Sequence, residues 1–179
     1  MQDFFVLLSG HVLGPVYGAA SQLAYLFLGL LGLPVFSEGG GLAYIFKPTF
    51  GYLLGFPLAS FIAGLIVHRG AKSSSNLPPS GVWRLVLANI AALLAIFIPG
   101  VFYLWWNLNF VLGQKLAFTR AAQVGFLVFL PGDVIKIIGV ILLYRVLQPR
   151  LAATFRLSTN TPALKTATPI SAGTEPRSD

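Results

Sequence analysis

Asp133 and Lys136 are the residues in this chain whose types and spacing point most directly to chemistry. They lie in the segment LPGDVIKIIGV, inside an apolar block that runs from about residue 121 to residue 147. Insertion scales give each such charge a cost of about 2.5–3.5 kcal/mol at the centre of a bilayer. The i, i+3 spacing places both side chains on one face of a helix, close enough to pair. Two interpretations stay open: an ion pair that shields both charges from lipid, or a polar binding site for a solute.

The composition indicates the class of protein. Of 179 residues, 56% are hydrophobic and 9% are charged, whereas soluble domains carry about 25% charged residues. The chain is therefore predicted to be an integral membrane protein. Its net charge of +7 arises from basic residues in the connections and the tail, which fits an anionic cytoplasmic leaflet and not a nucleic acid. The chain has no cysteine, and His11 and His68 are too isolated to form a metal site, so no metal or other cofactor is expected.

The elements that hold these residues are predicted to be helices, in an all-α polytopic bundle of about five spans. The Gly14-Pro15 pair breaks the first apolar block into two helices. A glycine-rich loop or re-entrant segment is expected at residues 37–50. Pro131 suits the first position of a helix and predicts where the last one begins. The predicted helices cover residues 2–14, 16–33, 50–68, 83–106 and 131–148, and a short apolar element covers residues 116–130.

Charge indicates orientation and domain organisation. The basic loop at residues 68–84 and the basic tail are expected on the cytoplasmic side. This places the loop at residues 37–41 outside, and it puts Asp133 and Lys136 near the outer end of the last helix. Residues 1–150 are predicted to form the membrane-embedded substrate-binding domain. Residues 151–179, which are rich in serine, threonine and proline, are predicted to be a disordered cytoplasmic tail.

Three ordered blocks of the sequence are informative together, namely GPVYGAASQLAYLFLGLLGLPVF, KPTFGYLLGFPL and FLPGDVIK. They resemble the BioY family, the biotin-specific S subunits of energy-coupling-factor (ECF) transporters, and the resemblance covers essentially residues 4–150. It implies a six-span helical fold in the bacterial cell (inner) membrane and an outward-facing site for biotin. It also implies that the energy for uptake comes from partners, a transmembrane coupling subunit and two ABC-type ATPases.

The resemblance also implies site residues. Asp133 and Lys136 match the family's last-helix motif and would contact biotin, through ureido N–H groups or through an oxygen of the ligand. Tyr44 and Thr49, in the loop, are candidate contacts, although Tyr44 would serve equally as an interfacial anchor. Gln22 and Tyr25 share one helix face and are further candidates, with helix–helix packing as the alternative for Gln22.

The chain departs from the family pattern at two places. Lys47 and Phe50 stand where members usually carry glycine, in GPTGGY. Lys47 would either bind the carboxylate of biotin or extend its charged end to water. Family members also have a further span before the segment MQDFFVLL. We therefore expect either that the initiator methionine of this chain is wrongly assigned or that the chain is a truncated member of the family.

Other functions remain as alternatives to biotin capture. The chain has five acidic residues, and Asp133 is the one embedded in a span; this disfavours a membrane enzyme. The open alternatives are an S subunit for another vitamin and an ion-coupled transporter of a small solute that uses the pair of Asp133 and Lys136.

Overall fold

The computed structural model describes residues 2–69 and 81–159, with side chains up to residue 150. Within these ranges the chain is mainly helical and has no β-strand, so the all-α prediction is confirmed. Most of the basic loop at residues 68–84 and the tail from residue 160 onward lie outside the described residues. The five α-helices are α1 (Gln2–Leu30), α2 (Phe50–His68), α3 (Val82–Trp106), α4 (Phe118–Ala122) and α5 (Leu130–Thr159).

Helix α1 is folded back on itself at Gly14. This residue has φ 80° and ψ −178°, a backbone conformation that suits glycine, and Pro15 follows it. The Gln2 amide nitrogen donates to the Tyr25 hydroxyl over 2.6 Å. In a straight helix these residues would lie about 35 Å apart at 1.5 Å per residue. The break predicted at Gly14-Pro15 is therefore present, and it turns α1 into a hairpin of two antiparallel arms.

A histidine from α2 stabilises the bend of this hairpin. Proline has no N–H, so Pro15 leaves the carbonyl oxygen of His11, four residues earlier, without its helical donor. The Nε2 atom of His68 lies 2.9 Å from that oxygen. Because His11 is buried, an unpaired carbonyl there would be costly. The side chain of His68 thus replaces the missing backbone hydrogen bond.

Helices α1, α2 and α3 pack closely through small residues. A Cβ atom on Gly64 of α2 would lie 2.5 Å from the nitrogen of Pro15, and one on Gly55 would lie 2.7 Å from the backbone oxygen of Ala95 in α3. Close approach through small residues is the usual way in which membrane helices associate. The main hydrophobic core lies between these helices and includes Leu7, Leu53, Phe56, Ala59, Ala92 and Ile96.

The described residues contain three helices long and apolar enough to cross a membrane, or up to four if one bent pair is a single span. The predicted number of five counted the two arms of α1 separately. The first arm, residues 2–13, reaches about 18 Å at 1.5 Å per residue, which is shorter than a hydrocarbon core of about 30 Å. By length, this arm is therefore too short to count as a separate span.

The last part of the chain forms the bent pair. Residues Phe118–Leu127 and Leu130–Arg150 meet at an angle of 41°. Helix α5 begins at Leu130, one residue before the predicted start, so Asp133 lies in its first turn, where a negative charge is favoured by the helix dipole. The helix continues to Thr159, and its last nine residues, 151–159, fall in the segment that was predicted to be a tail.

The segment between α1 and α2 is a loop with little regular structure, as predicted for residues 37–50. Phe36 and Gly39 form an isolated bridge, and Leu42–Phe46 forms a short 3₁₀-helix. The Tyr103 hydroxyl of α3 donates to the carbonyl oxygen of Ile45. The Asn107 amide donates to the carbonyl oxygen of Phe46 over 2.8 Å. Helix α3 and the residues after it thus hold the loop in place.

Candidate functional site

Lys136 lies between two carboxylates near the N-terminal end of α5, the end that is predicted to face the outside. Its Nζ atom is 2.8 Å from Oδ1 of Asp133 and 2.7 Å from Oδ2 of Asp3. The pair predicted from the i, i+3 spacing is therefore formed, and a second acid joins it from the first arm of α1. Hydrogen bonds between an ammonium and a carboxylate are about twice as strong as neutral ones. The three side chains connect the first and last helices of the described chain.

These two carboxylates differ in exposure. The side chain of Asp133 is 4% exposed, whereas that of Asp3 is 26% exposed and that of Lys136 is 18% exposed. Oδ2 of Asp133 is buried and has no hydrogen-bond partner among the described residues. A buried carboxylate needs its counter-ion, because the low-dielectric interior does not stabilise an isolated charge. Lys136 therefore neutralises Asp133 and leaves Asp3 as the accessible acid.

A cavity of about 310 Å³ opens beside Lys136. Small-molecule sites are usually concave, mostly apolar and about 300–1,000 Å³ in volume. Apolar and aromatic side chains from α2, α3 and the segment before α5 form much of its wall, among them Leu53, Phe56, Ile96, Phe97 and Phe129. Polar groups come from the first arm of α1, the loop, α2 and α5, namely Gln2, Asp3, Ser37, Glu38, Tyr44, Thr49, Tyr52 and Lys136.

The loop contributes Tyr44 and Thr49 to this cavity. Tyr44 is buried, and its ring packs on Phe36 with centroids 4.6 Å apart. The Thr49 hydroxyl lies 3.5 Å from the Tyr44 hydroxyl. Nζ of Lys47 lies 5.0 Å from the centroid of the Tyr44 ring. These contacts fix Tyr44 as part of the cavity wall and not as an exposed interfacial anchor.

Lys47, one of the two residues that stand where family members usually carry glycine, forms an ion pair at the edge of the cavity. Its Nζ atom is 2.7 Å from Oε2 of Glu38, and the two side chains are 38% and 58% exposed. Glu38 lines the cavity, whereas Lys47 does not. Glu38 thus balances the charge of Lys47. An exposed pair of this kind contributes at most about 1 kcal/mol to stability.

Gln22 and Tyr25 line a neighbouring pocket of about 400 Å³, which shares Gln2 and Phe56 with the main cavity. The Gln22 amide nitrogen donates to the Ser9 hydroxyl across the hairpin over 3.0 Å. The Tyr25 hydroxyl accepts from Gln2 and donates to the carbonyl oxygen of Val35 over 2.7 Å. Both side chains therefore use their polar groups to join structural elements, which favours the packing alternative for Gln22.

The structure thus brings the six predicted site residues into two adjoining places. Tyr44, Thr49 and Lys136 line the main cavity, and Gln22 and Tyr25 line the neighbouring pocket. Asp133 contacts Lys136 but does not itself line the main cavity. Their roles in binding stay predictions.

Sequence reasoning missed Asp3, Gln2 and the aromatic wall. For Asp3, the available signal was its rarity, since the chain has five acidic residues.

Comparison with known proteins identifies relatives over most of the chain. The model of the BioY family matches residues 1–153. A protein of Lysinibacillus sphaericus described as a probable biotin transporter BioY is 40% identical over 126 residues, which cover 70% of this chain and 61% of that protein. The chain thus aligns with less than two thirds of this relative's length. A probable biotin transporter BioY of Pyrococcus horikoshii is 37% identical, over 83% of this chain and 78% of that protein.

A solved structure is also similar. The crystal structure of the S-component for biotin from an ECF-type ABC transporter superposes with a TM-score of 0.70 at 26% sequence identity. The match covers 83% of this chain and 74% of that chain. The membrane helical fold described above is therefore the fold of such an S-component.

Proposed function

The chain belongs to the BioY family, and we propose on this premise that it captures biotin as the S component of an ECF importer. The descriptions of its relatives support this proposal, since they are named as biotin transporters. The similar solved structure is the S-component for biotin from an ECF-type ABC transporter. Capture, rather than chemical conversion, is the proposed activity.

The observation that carries the proposal is the cavity with Lys136 and Asp3 in a largely apolar wall. Biotin combines a cyclic urea, which has N–H donors and a carbonyl acceptor, with an apolar ring that contains sulfur and a carboxylate tail. Lys136 supplies a donor for an oxygen, and Asp3 supplies an acceptor for an N–H. The aromatic and aliphatic side chains, such as Phe56 and Phe97, supply a surface for the apolar ring.

The energy source and the location are part of the proposal. We propose that a transmembrane coupling subunit and ABC-type ATPases drive the import step, because the similar solved structure comes from an ECF-type ABC transporter. We place the protein in the bacterial cell (inner) membrane as a multi-pass protein. In the orientation predicted from charge, with the basic loop at residues 68–84 on the cytoplasmic side, the cavity opens to the exterior. Biotin would be captured there before the coupling subunit acts.

The test is a binding measurement on the full-length protein purified in detergent. Biotin, riboflavin and thiamine are titrated separately by isothermal calorimetry, and the expected result is binding of biotin alone. Lys136→Gln should weaken biotin binding about 10- to 100-fold, the range expected when a hydrogen bond from a charged group is lost.

Lys115→Gln is the matched control, because Lys115 is an exposed lysine in the connection after α3. It should bind biotin as the unmodified protein does. Binding of riboflavin or thiamine as tight as that of biotin would refute the proposal, as would an absence of biotin binding.

A further inference from the structure

We infer that Asp3 is a ligand-binding residue, and that its carboxylate accepts an N–H of the ligand's cyclic urea beside the ammonium of Lys136. This inference rests on the proposed function and deepens it. The family motif directs attention to Asp133, but the two acids face different spaces. Asp3 lines the main cavity, whereas Asp133 borders an apolar cleft between α3 and α5 that is lined by side chains such as Leu94 and Ile137.

The hydrogen bonds of Lys136 show which donor and which acceptor stay available to a ligand at this end of the cavity. An ammonium has three N–H donors, and two are directed to Asp133 and Asp3. No described residue accepts a hydrogen bond from the third N–H of Lys136. Asp3 uses Oδ2 for Lys136, and its partly exposed side chain leaves Oδ1 as an acceptor. One donor and one acceptor therefore lie side by side, as the adjoining C=O and N–H of a cyclic urea require.

Charge gives an independent reason for this assignment. Two carboxylates surround one ammonium, so the cluster of Asp3, Asp133 and Lys136 carries a formal charge of −1. A ligand carboxylate is repelled from such a cluster, whereas a neutral N–H donor is attracted to it. The urea end of the ligand is therefore the end that Asp3 selects, and the carboxylate end lies elsewhere in the cavity.

The hairpin of α1 provides the rigidity that a binding residue needs. Gln2, the residue before Asp3, is tied to the second arm by its hydrogen bond to Tyr25, and Lys136 fixes Asp3 to α5. Two neighbouring anchors on different helices reduce the conformational freedom that binding would otherwise have to remove. Asp3 is therefore held in position before the ligand arrives.

The experiment compares biotin with its two cyclic carbamate analogues, in each of which one ureido N–H is replaced by oxygen. The size of the ring hardly changes, but an acceptor replaces a donor. The full-length protein should bind one of the two analogues about 10- to 100-fold more weakly than biotin. In Asp3→Asn this difference should fall below about threefold, because an amide can turn either its oxygen or its nitrogen to the ligand.

A purely structural role for Asp3 predicts a different result, an equal loss of affinity for biotin and for both analogues. That outcome would overturn the inference, and so would an Asp3→Asn variant that binds all three compounds as the unmodified protein does. Asp3→Ser serves as a second variant if Asp3→Asn does not fold. Discrimination below about threefold against both analogues in the unmodified protein also overturns the inference. If the unmodified protein does not bind biotin, the proposed function itself fails.

Discussion

Replacing Lys136 by methionine should destabilise the fold more than removing Lys136 together with its buried partner. Lys136→Met keeps the length and the apolar stem of the side chain but removes the ammonium. Asp133, which is 4% exposed, then loses its counter-ion, and its Oδ2 atom already lacks a hydrogen-bond partner among the described residues. The variant therefore isolates the effect of a carboxylate left alone in the interior.

The expected size of the effect follows from the burial of each partner. Removal of one member of a buried ion pair destabilises a protein by about 3–5 kcal/mol, because the other charge stays uncompensated. Asp3 is 26% exposed, so water compensates its charge and its share is below about 1 kcal/mol. The loss for Lys136→Met is thus about 3–5 kcal/mol and comes mainly from Asp133.

The double variant Asp133→Asn/Lys136→Met leaves no buried charge at this position. Its expected cost is about 1–3 kcal/mol, the desolvation of one amide without a partner, so it should be more stable than Lys136→Met alone. Thermal unfolding of both proteins in the same detergent, followed by tryptophan fluorescence, measures the order. A double variant that unfolds at or below the temperature of the single variant would refute the reasoning.

Two further predictions concern the packing of α2 against the hairpin of α1. His68→Ala removes the donor to the His11 carbonyl oxygen and should lower the free energy of unfolding by about 1–3 kcal/mol. Thermal unfolding measures this loss, with His68→Gln as the control variant that keeps a hydrogen-bond donor. Equal stability of the unmodified protein and both variants would contradict the prediction. Gly64→Ala should lower stability by about 1–3 kcal/mol, because its Cβ would lie 2.5 Å from the nitrogen of Pro15. Gly132→Ala is the matched control, since a Cβ there has nothing within 4 Å, and equal effects of the two alanines would rule out the packing argument.

Much of the fold could be predicted from the sequence, because certain residues determine the backbone conformation locally. Glycine and proline act on the backbone where they stand, so Gly14-Pro15 predicted the break in α1 and Pro131 predicted the start of α5 to within one residue. The apolar blocks predicted α2 at its observed bounds of Phe50–His68. The number of spans was less accessible, because it depends on whether the arms of α1 extend or fold back.

The site divides in the same way between sequence and tertiary structure. The spacing of Asp133 and Lys136 by three residues in one helix determined their contact, because the geometry of a single turn is enough to bring them together. The sequence also carried the blocks that resemble the BioY family. The contact of Asp3 with Lys136 joins residues 133 positions apart, and no local pattern encodes it.

Only the folded chain decided that contact, since it needs the hairpin at Gly14 and the packing of α1 beside α5. Only the folded chain decided, too, which carboxylate faces the cavity. That choice depends on how each helix is rotated against its neighbours, and packing sets this rotation. The sequence by itself thus determined the membrane class, most helix bounds and the charged pair. The tertiary structure decided that Asp3 borders the cavity while Asp133 is buried behind Lys136.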